Sequence, residues 1–206
     1  MKDNLFLCRR KRIAPTSLRT RYHAFLTPHL ISGLVTVYEF EGRKPSIGMN
    51  SFAFENATII GDVRIGEYVW IGPGAVIRGD YGTIVIDDYT AIEDNCVIHA
   101  RPGETTTIEK HVTVGHLSTV HTATLRQWSI VGMGATVSDF SEIGEWAVVA
   151  EGAVVKSGTK IAPESIAAGV PASVIGRISQ DYKKLWTDYK ANYNSFASRY
   201  RELKKL

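Results

Sequence analysis

The chain has 206 residues, 24 Lys and Arg against 21 Asp and Glu, a formal net charge of +3 and 44% hydrophobic residues. That length suits one substantial core with a few attachments. No apolar run approaches a membrane span, so a soluble, cytoplasmic protein without a membrane partner is expected. Two cysteines, Cys8 and Cys96, do not suggest a disulfide framework and suit a reducing compartment.

Residues 1–34 hold Arg9, Arg10, Lys11, Arg12, Arg19 and Arg21 with only Asp3 in opposition. Three readings stay open for this basic extension: a start codon upstream of the true one, a disordered arm, or a targeting peptide, although no secretory apolar region is present. Without aromatic interleaving or a recognised motif, no nucleic-acid partner is expected.

From residue 35 the pattern changes. Tyr38-Glu39-Phe40 predicts a first strand, and Gly48 to Phe54 leads into a repeat that occupies most of the domain expected over 35–176. Aliphatic residues recur at every sixth position: Ile59, Ile65, Ile71, Ile77; Ile86, Ile92, Ile98; Ile108, Val114, Val120; then, after one slip, Leu125 and onward to Ile161. Four residues after most of them stands a small or β-branched residue, such as Ala75, Cys96, Ser118, Thr124 and Ala135. A helix has a period of 3.6 and a strand a period of two, whereas this period belongs to a hexapeptide β-helix, an all-β solenoid in which three hexads make one triangular coil. Gly66, Gly72, Gly132 and Gly144, each directly after its aliphatic, are expected to supply backbone freedom at corners. Two breaks in the step, around Arg78 to Gly82 and around Arg101 to Glu104, predict loops where function is expected.

The solenoid is expected to close near Pro163 and Ala168 to Ala172. Over 177–206 the period becomes helical, with Tyr182, Leu185, Trp186, Tyr189, Tyr193, Phe196, Tyr200 and Leu203 as one apolar stripe and Lys and Arg on the opposite face. This predicts a C-terminal α-helix packed on the flank of the β-helix.

The chemistry centres on three histidines. His99 follows Ile98 and His121 follows Val120, three hexads apart, so the two stack in neighbouring strands about 4.8 Å apart, close enough to converge on one ion. Arg78 falls in the same column one coil lower. His116 belongs to the adjacent face, with Asp94 stacked beneath it. Because zinc holds its ligands at about 2.0–2.1 Å, one chain is not expected to join all three histidines. A cyclic trimer with three metal sites at its interfaces would. Three imidazoles and no fourth protein ligand leave a position open for water, as in a catalytic site.

The hexads, together with Ile77-Arg78-Gly79-Asp80, Glu93-Asp94 before Val97-Ile98-His99, and Gly115-His116 with Val120-His121, make the chain resemble the gamma-class carbonic anhydrase family over about Val35 to Arg177. The resemblance implies a left-handed parallel β-helix with a C-terminal α-helix. It also implies a homotrimer holding Zn2+, or Fe2+ or Co2+ in its place, by His99 and His121 of one subunit and His116 of the next. Arg78 and Asp94 would pair across the interface with Asp80 close by, and Glu93 or Asp80 would orient the water or take its proton. The implied activity is reversible hydration of CO2 to bicarbonate. The chain departs from the family where Glu93 replaces a Gln, Ala91 an Asn and Tyr81 a Glu, and where Arg101 to Glu104 stands in place of an acidic loop. Two other readings remain: a metal-dependent acyl-CoA thioesterase or hexapeptide acyltransferase on the same trimer, and a non-catalytic metal-binding or assembly subunit.

Overall fold

A computed structural model describes residues 35–204 and 206, so the basic extension, with the three readings of it and Cys8, lies outside the described residues. The rest is a left-handed parallel β-helix of about seven turns followed by a single helix, α1, spanning Gln180–Tyr200.

The period of six builds three faces. On the first, inward side chains stack from Val37 through Ile59, Ile77, Ile98 and Val120 to Val155. On the second the column runs from Ile47 through Ile86 and Ile108 to Ile161. The third runs from Ala53 through Ile92 and Val114 to Ala167. Every aliphatic of the repeat from Ile59 to Ile161 is at most 4% exposed. At about 1.5–3 kcal/mol for each large aliphatic removed from water, this column supplies most of what stabilises the solenoid.

Several expectations are corrected. The coil begins one turn early, because Val37 and Ile47 already sit in register with Ile59 and Ile65. A tight excursion, with Phe40 bridged to Arg43, separates the two and hides the period. The extra residues between Ile77 and Ile86 form no loop. They lie within one strand, Val76–Ile86, whose pairing with Thr58–Ile65 shifts between Gly61 and Val63. At the slip, Ala123 takes the buried small-residue place, while Thr124 is only half-buried. Gly72 is required for space and not for freedom, since a Cβ there would meet Asp94 Oδ1 at 2.4 Å. The left-handed positions are shared by other glycines, such as Gly74, Gly134 and Gly152, and larger residues, including Tyr89, Asn95, His111, Leu117 and Trp128.

The solenoid closes where Ser173–Arg177 pairs antiparallel with Ser165–Ala168. Ser179 then caps α1, its side chain accepting from Tyr182 N, with Asp181 in the first turn and Arg199 in the last, as the helix dipole favours. The inward face matches only part of the expected stripe, with Tyr193, Phe196 and Tyr200 packed on the solenoid. Leu185, Tyr189 and Leu203 are exposed, while Lys190 and Ala197 are each 1% exposed. Phe196 and Tyr200 pack on Trp70, and Tyr200 also meets Phe52. Among the described residues, no helix is long and apolar enough to cross a membrane.

Candidate metal centre

The first face does what its register requires. Strands Val97–His99 and Thr119–His121 pair with His99 opposite His121, and Arg78 is opposite His99 on the other side. His99 Nδ1 lies 3.0 Å from His121 Nε2. The outer nitrogens each meet a carboxylate: His99 Nε2 is 2.9 Å from Asp80 Oδ1, and His121 Nδ1 is hydrogen-bonded to Asp139 Oδ1. Asp80 also pairs with Arg78, and Asp139 with Arg101 at 3.4 Å.

These carboxylates decide how the two rings are turned. Burial pushes the Asp80 carboxyl up, but hydrogen bonds from His99 and Arg78 outweigh it and hold the group below its ordinary range. Asp139 follows the same logic, burial raising it and His121, Thr122 and Arg101 bringing it below. An ionised carboxylate only accepts, so each outer nitrogen supplies an N–H and the inner nitrogens are turned toward each other. The two inner nitrogens lie within hydrogen-bond distance of each other. Their separation is compatible with a shared cation, since tetrahedral zinc with bonds of about 2.0–2.1 Å would separate such ligands by roughly 3.3 Å. The donor set therefore fits a metal ion with modest adjustment.

The third histidine is elsewhere. His116 stands at the corner after the strand Thr113–Val114 of the third face. Its Nε2 is 3.1 Å from Glu93 Oε2 and its Nδ1 3.3 Å from Asp94 Oδ2, while its backbone N donates to Glu93 Oε2 at 3.1 Å. Glu93 is nearly buried, its side chain 6% exposed, whereas His116 is 42% exposed and open to another molecule. Among the described residues of one chain, no three His, Cys, Asp or Glu side chains assemble into a metal-holding group. The structure thus brings together His99, His121, Asp80 and Arg78, and separately His116, Glu93 and Asp94. Arg78 pairs with Asp80 of its own chain, and Asp94 faces His116.

Three participants escaped the sequence reading. Asp139 lies two places after Val137, which stacks on Val120, so counting one coil further would have found it beside His121. Tyr193 and the buried Lys190, whose ammonium donates to Thr113 Oγ1 on the strand that leads to His116, come from α1, whose packing the hexad register does not specify. Tyr81 is 60% exposed, its ring and that of His99 at a steep angle with centroids 6.4 Å apart. The Arg101 to Glu104 turn is tied alongside, with Arg101 N donating to Thr122 Oγ1 and Gly103 N to Tyr81 O. Cys96 is a free, fully buried thiol, which burial pushes up to about 12, so it is chemically inert.

Comparison with known proteins agrees with this architecture. Residues 44–79 match the family model described as bacterial transferase hexapeptide (six repeats). The chain is 41% identical to a carbonic anhydrase of Geobacillus kaustophilus over 145 residues, 70% of this chain and 80% of that one. The chain belongs to the gamma-class carbonic anhydrase-like hexapeptide-repeat family. Another member, the carnitine operon protein CaiE of Escherichia coli, is 32% identical over 71% of this chain and 75% of its own. Among solved structures, a candidate acetyltransferase from Bacillus cereus superposes with a TM-score of 0.81 at 32% identity, covering 84% of this chain and all of that one. A hexapeptide transferase family protein from Anaplasma phagocytophilum gives 0.77 at 32% identity, with coverage of 81% and 98%.

Proposed function

We propose that the protein is a cytoplasmic homotrimer that catalyses the reversible hydration of CO2 to bicarbonate at three metal centres. Each centre is held by His99 and His121 of one copy and His116 of the next, with Zn2+ as the ion, or Fe2+ or Co2+ in its place. The observation that carries this reading is the pair of imidazole nitrogens 3.0 Å apart, each ring oriented from behind by a carboxylate. The carbonic anhydrase relative adds support.

The ion's contribution when bound is Lewis acidity, which lowers the pKa of a water at the open position toward about 7. The chain's own groups do the rest. Asp80 and Asp139 fix the His99 and His121 rings. Glu93, or Asp80, orients the water and accepts its proton, Glu93 from beside His116. Arg78, now paired with Asp80, has the charge to meet Asp94 of a neighbouring copy. Tyr81 and the Arg101 turn occupy the places from which protons would leave, so turnover is expected to be limited by proton export.

A second reading, a metal-dependent acyl-CoA thioesterase or a hexapeptide acyltransferase, draws on the solved relatives described as transferases. Metal content and CO2 hydration measured on one anaerobically purified sample, with His99→Ala as control, test the choice. One metal per chain, with hydration abolished in the variant, is the expected result. Bound metal without hydration, but with chelator-sensitive acyl-CoA hydrolysis, would transfer the assignment to the second reading, and absence of metal would refute both metal-dependent assignments.

A further inference from the structure

The two histidines of the first face are flanked alike. Arg78 meets Asp80, which meets His99, and Arg101 meets Asp139, which meets His121. With the two rings side by side, six side chains form one line of contacts. Its two ends arise differently. Asp80 stands two places after Arg78 on the strand Val76–Ile86, so that pair is local. Asp139 is 38 residues from Arg101, so the second pair exists only because the turn after His99 aims the guanidinium there. Arg101 N donates to Thr122 Oγ1 at 2.9 Å, on the next coil directly after His121. Arg101 O accepts from Glu104 N at 3.1 Å, which closes the turn, and Glu104 O accepts from Thr83 N at 2.9 Å. The side chain then passes Phe140, with 5.9 Å from guanidinium carbon to ring centre, and Nη1 lies 3.4 Å from Asp139 Oδ2. Phe140 N itself donates to Thr122 O at 2.6 Å. One residue thus touches three successive coils at the column that carries the histidines.

An isolated exposed ion pair contributes little, because two long side chains must be ordered to make it. Here the backbone of Arg101 is already held by Thr122 and the carboxylate of Asp139 by His121. Asp139 uses Oδ1 for His121 and Oδ2 for Arg101, so it cannot turn away from the ring without breaking a second contact. We propose that Arg101 is a positioning residue of the metal centre: it clamps Asp139 on the oxygen that His121 leaves over, and so fixes the His121 ring. The turn from Arg101 to Glu104 is then part of the apparatus that holds the ion. The proposal rests on reading His121 as a ligand, but the clamp belongs to the metal-free chain and can be read there.

The experiment compares Arg101→Gln, Arg101→Lys, Asp139→Asn and the double variant of Arg101→Gln with Asp139→Asn. Two quantities are read: the ring N–H proton of His121 by NMR of metal-free protein, identified by its loss in His121→Ala, and Co2+ affinity from the visible spectrum of the bound ion. Arg101→Gln is expected to broaden the ring N–H signal through faster exchange with water and to weaken Co2+ binding about threefold to tenfold. Arg101→Lys, which keeps the charge, is expected to restore part of both. In the Asp139→Asn background, Arg101→Gln is expected to add nothing. An unchanged ring N–H or unchanged Co2+ affinity in Arg101→Gln would overturn the proposal, as would effects of the two substitutions that simply add. A lower melting temperature with both readings unchanged would show that Arg101 only braces its turn. A wild type that takes up no Co2+ refutes the proposed function, while the ring N–H of metal-free protein still decides whether Arg101 holds Asp139 on His121; absence of that signal from wild type would overturn the clamp.

Discussion

Asp139 has the simplest task in the molecule and the most direct test. It accepts the outer N–H of His121 and so turns the inner nitrogen toward His99. Asp139→Asn keeps the shape but offers an amide N–H of its own, which favours the wrong tautomer. Metal affinity is expected to fall about 10–100-fold, measured by competition with a chelating dye. Unchanged affinity would mean that some other group orients the ring. The positions of His99 and His121 were readable from the sequence because each directly follows a core aliphatic, where register leaves no choice. Asp139 was not read, because its side chain reaches back to the preceding coil from two places beyond its aliphatic. Lys190 was missed for a different reason, since a lysine in a helix normally marks the solvent side. Its burial draws its pKa down to about 7, against about 10.4 in the unfolded chain. Between these values the unfolded chain binds the extra proton, so stability rises with pH, by at most about 1.4 kcal/mol per unit. Above about 8.5 the raised Cys96 thiol opposes this, because there the folded state keeps the extra proton. Urea unfolding from pH 7 to 8.5 should therefore show a rise in wild type that Lys190→Met lacks; parallel curves would contradict the assignment.

The second face ends in a feature that the repeat contains but that a search for aliphatics overlooks. Tyr68, Tyr89, His111, Trp128 and Trp146 each fall three places after an aliphatic of that face, all with φ between 57° and 62°. Each stacks on the next with centroids 4.2–5.0 Å apart and planes within 9° of parallel. A left-handed backbone costs a residue with a side chain roughly 1–2 kcal/mol, and each ring contact returns about 0.5–1.5 kcal/mol. The corner is therefore near balance, and its rings are tolerated because they stack as a set. Trp128 takes part in two stacks, so Trp128→Ala should lose about 2–3 kcal/mol in urea unfolding. Trp128→Gly should lose less, because glycine accepts the backbone angle without strain. Equal losses would show that the angle carries no cost. The glycines after the aliphatics were read as sources of freedom for a comparable reason: the sequence marks where a side chain is missing but not which neighbour fills the space.

At the scale of the whole molecule, α1 runs back along the coil from its last turn to its first. Lys183 meets Glu164 at 2.6 Å near one end, and Arg201 donates to Met49 O at the other. A solenoid without such a brace loses its terminal coils first, because each coil contacts only its neighbours and stability is a sum along a line. Here the first and last coils share one rod, so the line is closed into a loop and its ends do not fray independently. Hydrogen exchange should show amides near Ala53 and Ala167 protected nearly as well as those near Val114, and cutting the chain after Arg177 should release both ends together while the middle persists. The same closure has a kinetic consequence. Contacts spanning some 150 residues form only after Arg201 has been made, so a nascent chain on the ribosome holds an unbraced coil until α1 emerges.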